Sequence, residues 1–127
     1  MRTAQWTLWP DLAHGRPEVS CAKLGDNVII SGGDEDPSTS ILNLSSKEER
    51  TGGDMTTTRG FYFHMAILEG KLLAIGGDDG LEYLDSIEEW DEVLETWVET
   101  EMKMKTARYS FGYVVAPASA VCEALSS

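Results

Sequence analysis

Three arginines of this 127-residue chain share one local setting. Leu12 stands four residues before Arg16, Met55 before Arg59 and Met104 before Arg108. A guanidinium carries five N–H donors in a rigid plane and pairs with carboxylates at two points. Acids follow each of two glycine pairs: Asp34-Glu35-Asp36 after Gly32-Gly33, and Asp78-Asp79 after Gly76-Gly77. The arginines lie 43 and 49 residues apart and the glycine pairs 44 apart. Two uses are open to such arginines. They either contact a partner, or they pair with the acidic loop beside them and fasten neighbouring units.

Other chemistry is sparse. His14 and His64 occupy different places in the pattern, and His64 reads as a satisfied core histidine within a strand. No Ser-His-Asp order, nucleophile elbow, CxxC or phosphate-cradling glycine loop occurs, so the reading is not an enzyme and needs no cofactor. The acidic loops lack the alternating oxygen ligands and closing glutamate of an EF-hand, so no metal is expected. Cys21 and Cys122 show no metal-ligand spacing and read as thiols of a reducing, cytoplasmic setting.

Charge narrows the partners. Ten Lys+Arg against 22 Asp+Glu give a formal charge of −12. Nucleic acids and anionic membranes are bound by displacing counterions with cations, which this chain lacks. No apolar run approaches the ~20 residues of a membrane span. From Asp78 to Glu101 there are eleven acids and no Lys or Arg, which reads as a solvated outer face.

The elements that position these groups read as strands. Apolar stretches Val19–Leu24, Phe61–Leu68 and Phe111–Ala116 follow the three arginines. In the first two cases a turn, Gly25-Asp26 or Glu69-Gly70, leads to Val28–Ser31 or Leu72–Ile75 and then to the glycine pair. That is an inner hairpin covered on both faces. Residues 83 to 98 also carry an amphipathic helical period through Tyr83, Leu84, Ile87, Trp90, Val93, Leu94 and Trp97. The equivalent window Ser38–Arg50 has no such period, and repeats share structure, so strands are expected there too.

Gly76-Gly77, Leu84–Asp91, Glu95-Thr96-Trp97, Met104 and Arg108 together resemble a Kelch repeat, with Trp90 where that family usually has tyrosine. The first repeat resembles it less: Thr51-Gly52-Gly53 replaces the aromatic dipeptide. The resemblance implies an all-β fold, a partial β-propeller with two complete four-stranded blades plus flanking strands from adjacent blades. The expected divisions are 1–15 (last strand of a preceding blade and link), 16–58 and 59–107 (the two blades) and 108–127 (start of a following blade). Outermost and innermost flanking strands fall near Thr3–Leu8 and Tyr109–Ala116. Two blades leave apolar flanks open, so the chain reads as a C-terminal piece of a larger propeller, with self-association as the alternative. Trp6, Trp9, Trp90 and Trp97 read as blade-to-blade packing.

The resemblance further implies a protein-interaction module, whose partner-binding rim holds Arg16, Arg59, Arg108, Asp34, Asp78, Asp79 and Tyr83. In animal members the propeller often follows BTB and BACK domains and presents substrates to a cullin-type ubiquitin ligase. A cytoskeletal, actin-binding scaffold is the alternative. A copper radical oxidase, known among Kelch-type propellers, fits poorly with a chain that shows no secretory segment.

Overall fold

The computed structural model describes residues 8, 11–13, 15–17, 19–33, 35–60, 63–109, 111–113 and 115. They form eight strands: β1 (Ser20–Leu24), β2 (Asn27–Ser31), β3 (Thr39–Asn43), β4 (Glu49–Gly52), β5 (His64–Leu68), β6 (Lys71–Ile75), β7 (Ser86–Asp91) and β8 (Thr96–Lys103). Each sheet is an antiparallel meander, in orders β1-β2-β3-β4 and β5-β6-β7-β8. These are the two four-stranded blades that the resemblance implies, and the helix that the period over residues 83–98 would permit does not form. Asp91 breaks it: its carboxylate accepts the amides of Val93 and Leu94 and turns the chain from β7 into β8.

Local chemistry sets the register. At Glu69-Gly70 both residues have positive φ, +52° and +78°, the geometry whose twist matches a two-residue hairpin. The inner hairpin then pairs His64 with Ile75 and Leu68 with Lys71. Ser31 faces Thr39 in the first blade, and Ile75 faces Ile87 in the second.

The core lies between the sheets. Ile29 and Ile41 from the first blade meet Met65, Leu72, Ala74, Trp90 and Trp97 from the second, with Met55 and Phe63 of the link. Polar groups lock this seam. The Trp97 indole N–H reaches Thr39 Oγ1 at 3.0 Å and Ser31 Oγ at 3.3 Å, and those two hydroxyls are 2.6 Å apart. The Met65 amide donates to Ser20 Oγ. Farther out, Arg50 forks onto Glu95, the amide of Gly53 donates to the Glu95 carbonyl, and Trp90 packs edge-on against Trp97.

Gly32 and Gly76 hold the same place, each at the end of an inner strand with positive φ, +84° and +68°. A Cβ at Gly32 would overlap the Phe63 ring, and one at Gly76 would lie 2.8 Å from the Phe111 ring. Their partners Gly33 and Gly77 also have positive φ, +127° and +102°. Gly32→Ala therefore combines a strained backbone with a steric conflict, and a loss of about 2–4 kcal/mol is expected. Urea unfolding checks this, with surface Gly70→Ala as a control, since nothing lies within 4 Å of its Cβ position.

Among the described residues, Tyr109 and Phe111–Tyr113 belong to neither four-stranded sheet, and the rest of the strand expected near Tyr109–Ala116 lies outside the described residues. One expectation meets a correction. His64 is half-buried and not satisfied: its Nε2 is enclosed by protein without a hydrogen-bond partner, among the rings of Phe111 and Tyr113. The flanking strand expected near Thr3–Leu8, and Trp6, Trp9, His14 and Asp34, lie outside the described residues except for Leu8. No helix among the described residues is long and apolar enough to cross a membrane.

Candidate functional site: the loop rim and its arginine sockets

The loops β2–β3 and β6–β7 and the link β4–β5 emerge on one rim. Gly60 sits against Gly33 O, Glu35 N and Asp78 O, so link and loops are in direct contact there. This rim gathers the residues that the repeat pattern singles out, but it divides them into two kinds.

Arg59 is a fastener. Its side chain is 0% exposed and so is that of Glu88, which it meets at 2.8 Å through Nε. Its Nη1 donates to Gly76 O and Ser86 O, and its Nη2 to Ser86 Oγ, all at 2.9 Å. The other Glu88 oxygen accepts the Thr56 amide at 2.6 Å. The carboxylate and a carbonyl of β7, with the Gly76 carbonyl just past β6, thus hold a cation supplied by the link, with every charge answered at close range.

Arg16 repeats this arrangement in the first blade. Nη1 donates to Gly32 O and Ser38 O at 3.2 and 3.1 Å and approaches Asp36 at 3.5 Å, and Nη2 donates to Ser40 Oγ at 3.2 Å. Ser40 stands where Glu88 stands in the second blade, and it is too short to reach Nε. That nitrogen is enclosed without a partner. Partner contact therefore does not fit Arg16, whose side chain is 2% exposed, or Arg59. Both are spent on carbonyls and acids of their own blade. The fastening acid of Arg59 comes from strand β7 instead of the loop, and only Arg16 uses its loop.

The remaining residues form the accessible surface. Arg108 is exposed, with its backbone tied to Gly77 N and Leu84 O. The neighbouring Tyr109 ring stacks on Tyr83 at 4.4 Å, and the two are 41% and 52% exposed. The Tyr83 phenol is pushed up from its ordinary pKa, chiefly by its hydrogen bond with Tyr109. Leu81 projects beside them at 95% exposure. Asp78 accepts the Gly80 amide and Asp79 those of Leu81 and Glu82, which shapes the loop that carries Leu81 and Tyr83. The backbone amides of Glu82 and Leu81 hold the Asp79 carboxyl below the usual range. This hold is present above the ordinary carboxylate pKa and is lost as pH falls through the depressed value. In an NMR titration the Leu81 and Glu82 amide shifts should move with a midpoint below about 4. A midpoint at the ordinary value would contradict those hydrogen bonds.

Sequence reasoning missed Leu81, Tyr109 and Glu88. Tyr109 was legible as the neighbour of a link arginine. Glu88 was hidden among eleven acids, and only the sheet register distinguishes it.

Comparisons with known proteins agree with this architecture. A family model for the Kelch motif matches residues 59–100. Human Kelch-like protein 35 is 34% identical over 95 residues, which is 73% of this chain and 16% of that protein. The mouse Kelch-like protein 35 is 33% identical over the same share of each chain. The chain thus spans about a sixth of the length of these relatives. With two four-stranded blades, two arginine sockets built alike and these matches, the chain belongs to the Kelch-repeat family.

Proposed function

We propose that the rim formed by Asp78, Asp79, Leu81, Tyr83, Arg108 and Tyr109 is the face on which this protein-interaction module receives its partner. Asp34, which follows the first glycine pair as Asp78 follows the second, belongs to the proposal by its place in the repeat. The observation that carries it is the stacked Tyr83–Tyr109 pair, half in solvent beside a nearly bare Leu81. Exposed aromatic and aliphatic side chains with charges around them match the composition of protein interfaces, apolar at the centre and polar at the rim. Such residues contribute nothing to the core between the blades.

The finer reading is that the parent protein is the substrate-recognition part of a cullin-type ubiquitin ligase, which the Kelch-like relatives support by kinship alone. In the parent protein, Leu81→Ser with Tyr83→Ala is expected to weaken partner binding by about tenfold or more. The melting temperature should stay within the scatter of the unmutated protein. Ubiquitin transfer to that partner, reconstituted with the cullin scaffold, should fall in step. Unchanged binding would overturn the rim, and normal binding to the partner with no transfer would overturn the ligase reading. Co-sedimentation with actin filaments, lost in the same variant, would favour a cytoskeletal scaffold instead.

A further inference from the structure

The two buried link arginines enter sockets of one plan, and the sockets differ in a single acid. Nη1 of Arg16 donates to Gly32 O and Ser38 O as Nη1 of Arg59 does to Gly76 O and Ser86 O, which aligns Ser40 with Glu88. Ala13 and Thr56 also correspond, each three residues before its arginine. In the second blade the Glu88 carboxylate bridges two N–H donors, Arg59 Nε at 2.8 Å and the Thr56 amide at 2.6 Å. In the first blade those donors part company. The Ala13 amide turns to Glu49 at 2.9 Å. Arg16 Nε is enclosed with no acceptor, in a side chain only 2% exposed.

The charge balance differs in the same way. Arg59 meets a carboxylate that is itself 0% exposed. The counter-ion of Arg16 among the described residues is Asp36, at 3.5 Å through Nη1, and that side chain is 35% exposed. A buried cation whose counter-ion is distant and partly hydrated recovers little of its desolvation cost. Hydroxyls surround it instead. Ser40 is 4% exposed, and its Oγ accepts from Arg16 Nη2, so its own proton is left to donate. Ser38 Oγ is enclosed without a partner, whereas the corresponding Ser86 Oγ takes Arg59 Nη2. Arg16 Nε and the Ser40 hydroxyl thus stand around the place that the Glu88 carboxylate takes in the other blade.

We propose that the first socket binds a small monovalent anion, chloride in physiological salt, which accepts from Arg16 Nε and the Ser40 hydroxyl in place of a carboxylate. Glu88 needs two oxygens because it serves two separate donors. With the Ala13 amide already answered, one acceptor atom suffices, and a monatomic anion supplies it without burying further groups. Water answers the N–H but not the charge, and the test separates the two.

The test is a chloride titration of the 127-residue chain at constant ionic strength, balanced with sodium gluconate and read at the arginine Nε–H signals in a nitrogen-15 correlation spectrum. The Arg16 signal should shift saturably, with half-saturation at about 0.1 M, while the Arg59 signal, held by Glu88, stays in place. At that affinity, about 0.5 M chloride should raise the folded-to-unfolded ratio in urea about sixfold over gluconate. Ser40→Glu and the less bulky Ser40→Asp place a carboxylate in the socket and should abolish the Arg16 response. Circular dichroism shows which of them folds; if neither does, the two signals of the unmodified chain decide. A static Arg16 signal, the result for water alone, would overturn the proposal. So would equal shifts at Arg16 and Arg59, or a response that survives in a folded Ser40 variant.

Discussion

Replacing Arg59 with methionine is expected to cost about 3–5 kcal/mol, enough to unfold much of the population of a domain this size. The argument rests on what the substitution leaves behind. Glu88 would remain with 0% of its side chain exposed and without its cation, holding only the Thr56 amide. The carbonyls of Gly76 and Ser86 would each lose a donor. Glu88→Gln keeps one oxygen to accept from Arg59 or Thr56 but turns its NH2 toward the other donor, so it should also be destabilising, and a double-mutant cycle between the two positions should reveal strong coupling. Arg16→Met offers the internal comparison. Its socket has no buried carboxylate, so a loss about half as large is expected. Urea midpoints of the three variants measure this ranking, and equal losses at Arg16 and Arg59 would contradict the fastening role assigned to Glu88.

Trp97→Ala comes second, with an expected loss of about 3–5 kcal/mol. The indole lies 3% exposed in the seam, so its removal opens a cavity between the sheets and strips the edge-on contact from Trp90. It also leaves the Ser31 and Thr39 hydroxyls with only each other. Trp97→Phe separates the two causes. It keeps most of the apolar volume and deletes the N–H donor, so the loss should fall to about 1–2 kcal/mol. Thr39→Val/Ser31→Ala added to Trp97→Phe should restore part of that loss, because no buried hydroxyl is then left short of a partner. Hydrogen exchange at the Met65 amide, which bonds to Ser20 across the same seam, reports whether the blades separate locally or unfold together.

The fold was readable where the chain repeats itself. Glycine pairs 44 residues apart, and arginines at fixed offsets from a preceding apolar residue, carry the period whatever the intervening residues do. The strand reading of residues 83–98 prevailed over a real helical period because strands and turns of alternating length also return apolar residues at three- and four-residue steps. The roles of the arginines were less legible. Sequence places Arg16, Arg59 and Arg108 in one class, but burial depends on whether the two strands that receive the side chain stand beside it. Arg16 and Arg59 have theirs; Arg108 lies exposed next to the Tyr83–Tyr109 pair. Gly52 and Gly53 were also misleading as letters. They look like a lapse from the repeat, yet the first makes room for the Trp90 ring and the second for Thr96, so a departure in one blade answers a bulky side chain in the next.

The Arg59 socket sets an order of events during synthesis. The guanidinium leaves the ribosome 17 residues ahead of the Gly76 carbonyl and 29 ahead of the Glu88 carboxylate. Until β7 has emerged and paired, the nascent cation has only water to bind. The socket thus closes only when the third strand of the second blade is in place, and a translational pause placed before Glu88 would leave the Arg59 guanidinium without its carboxylate.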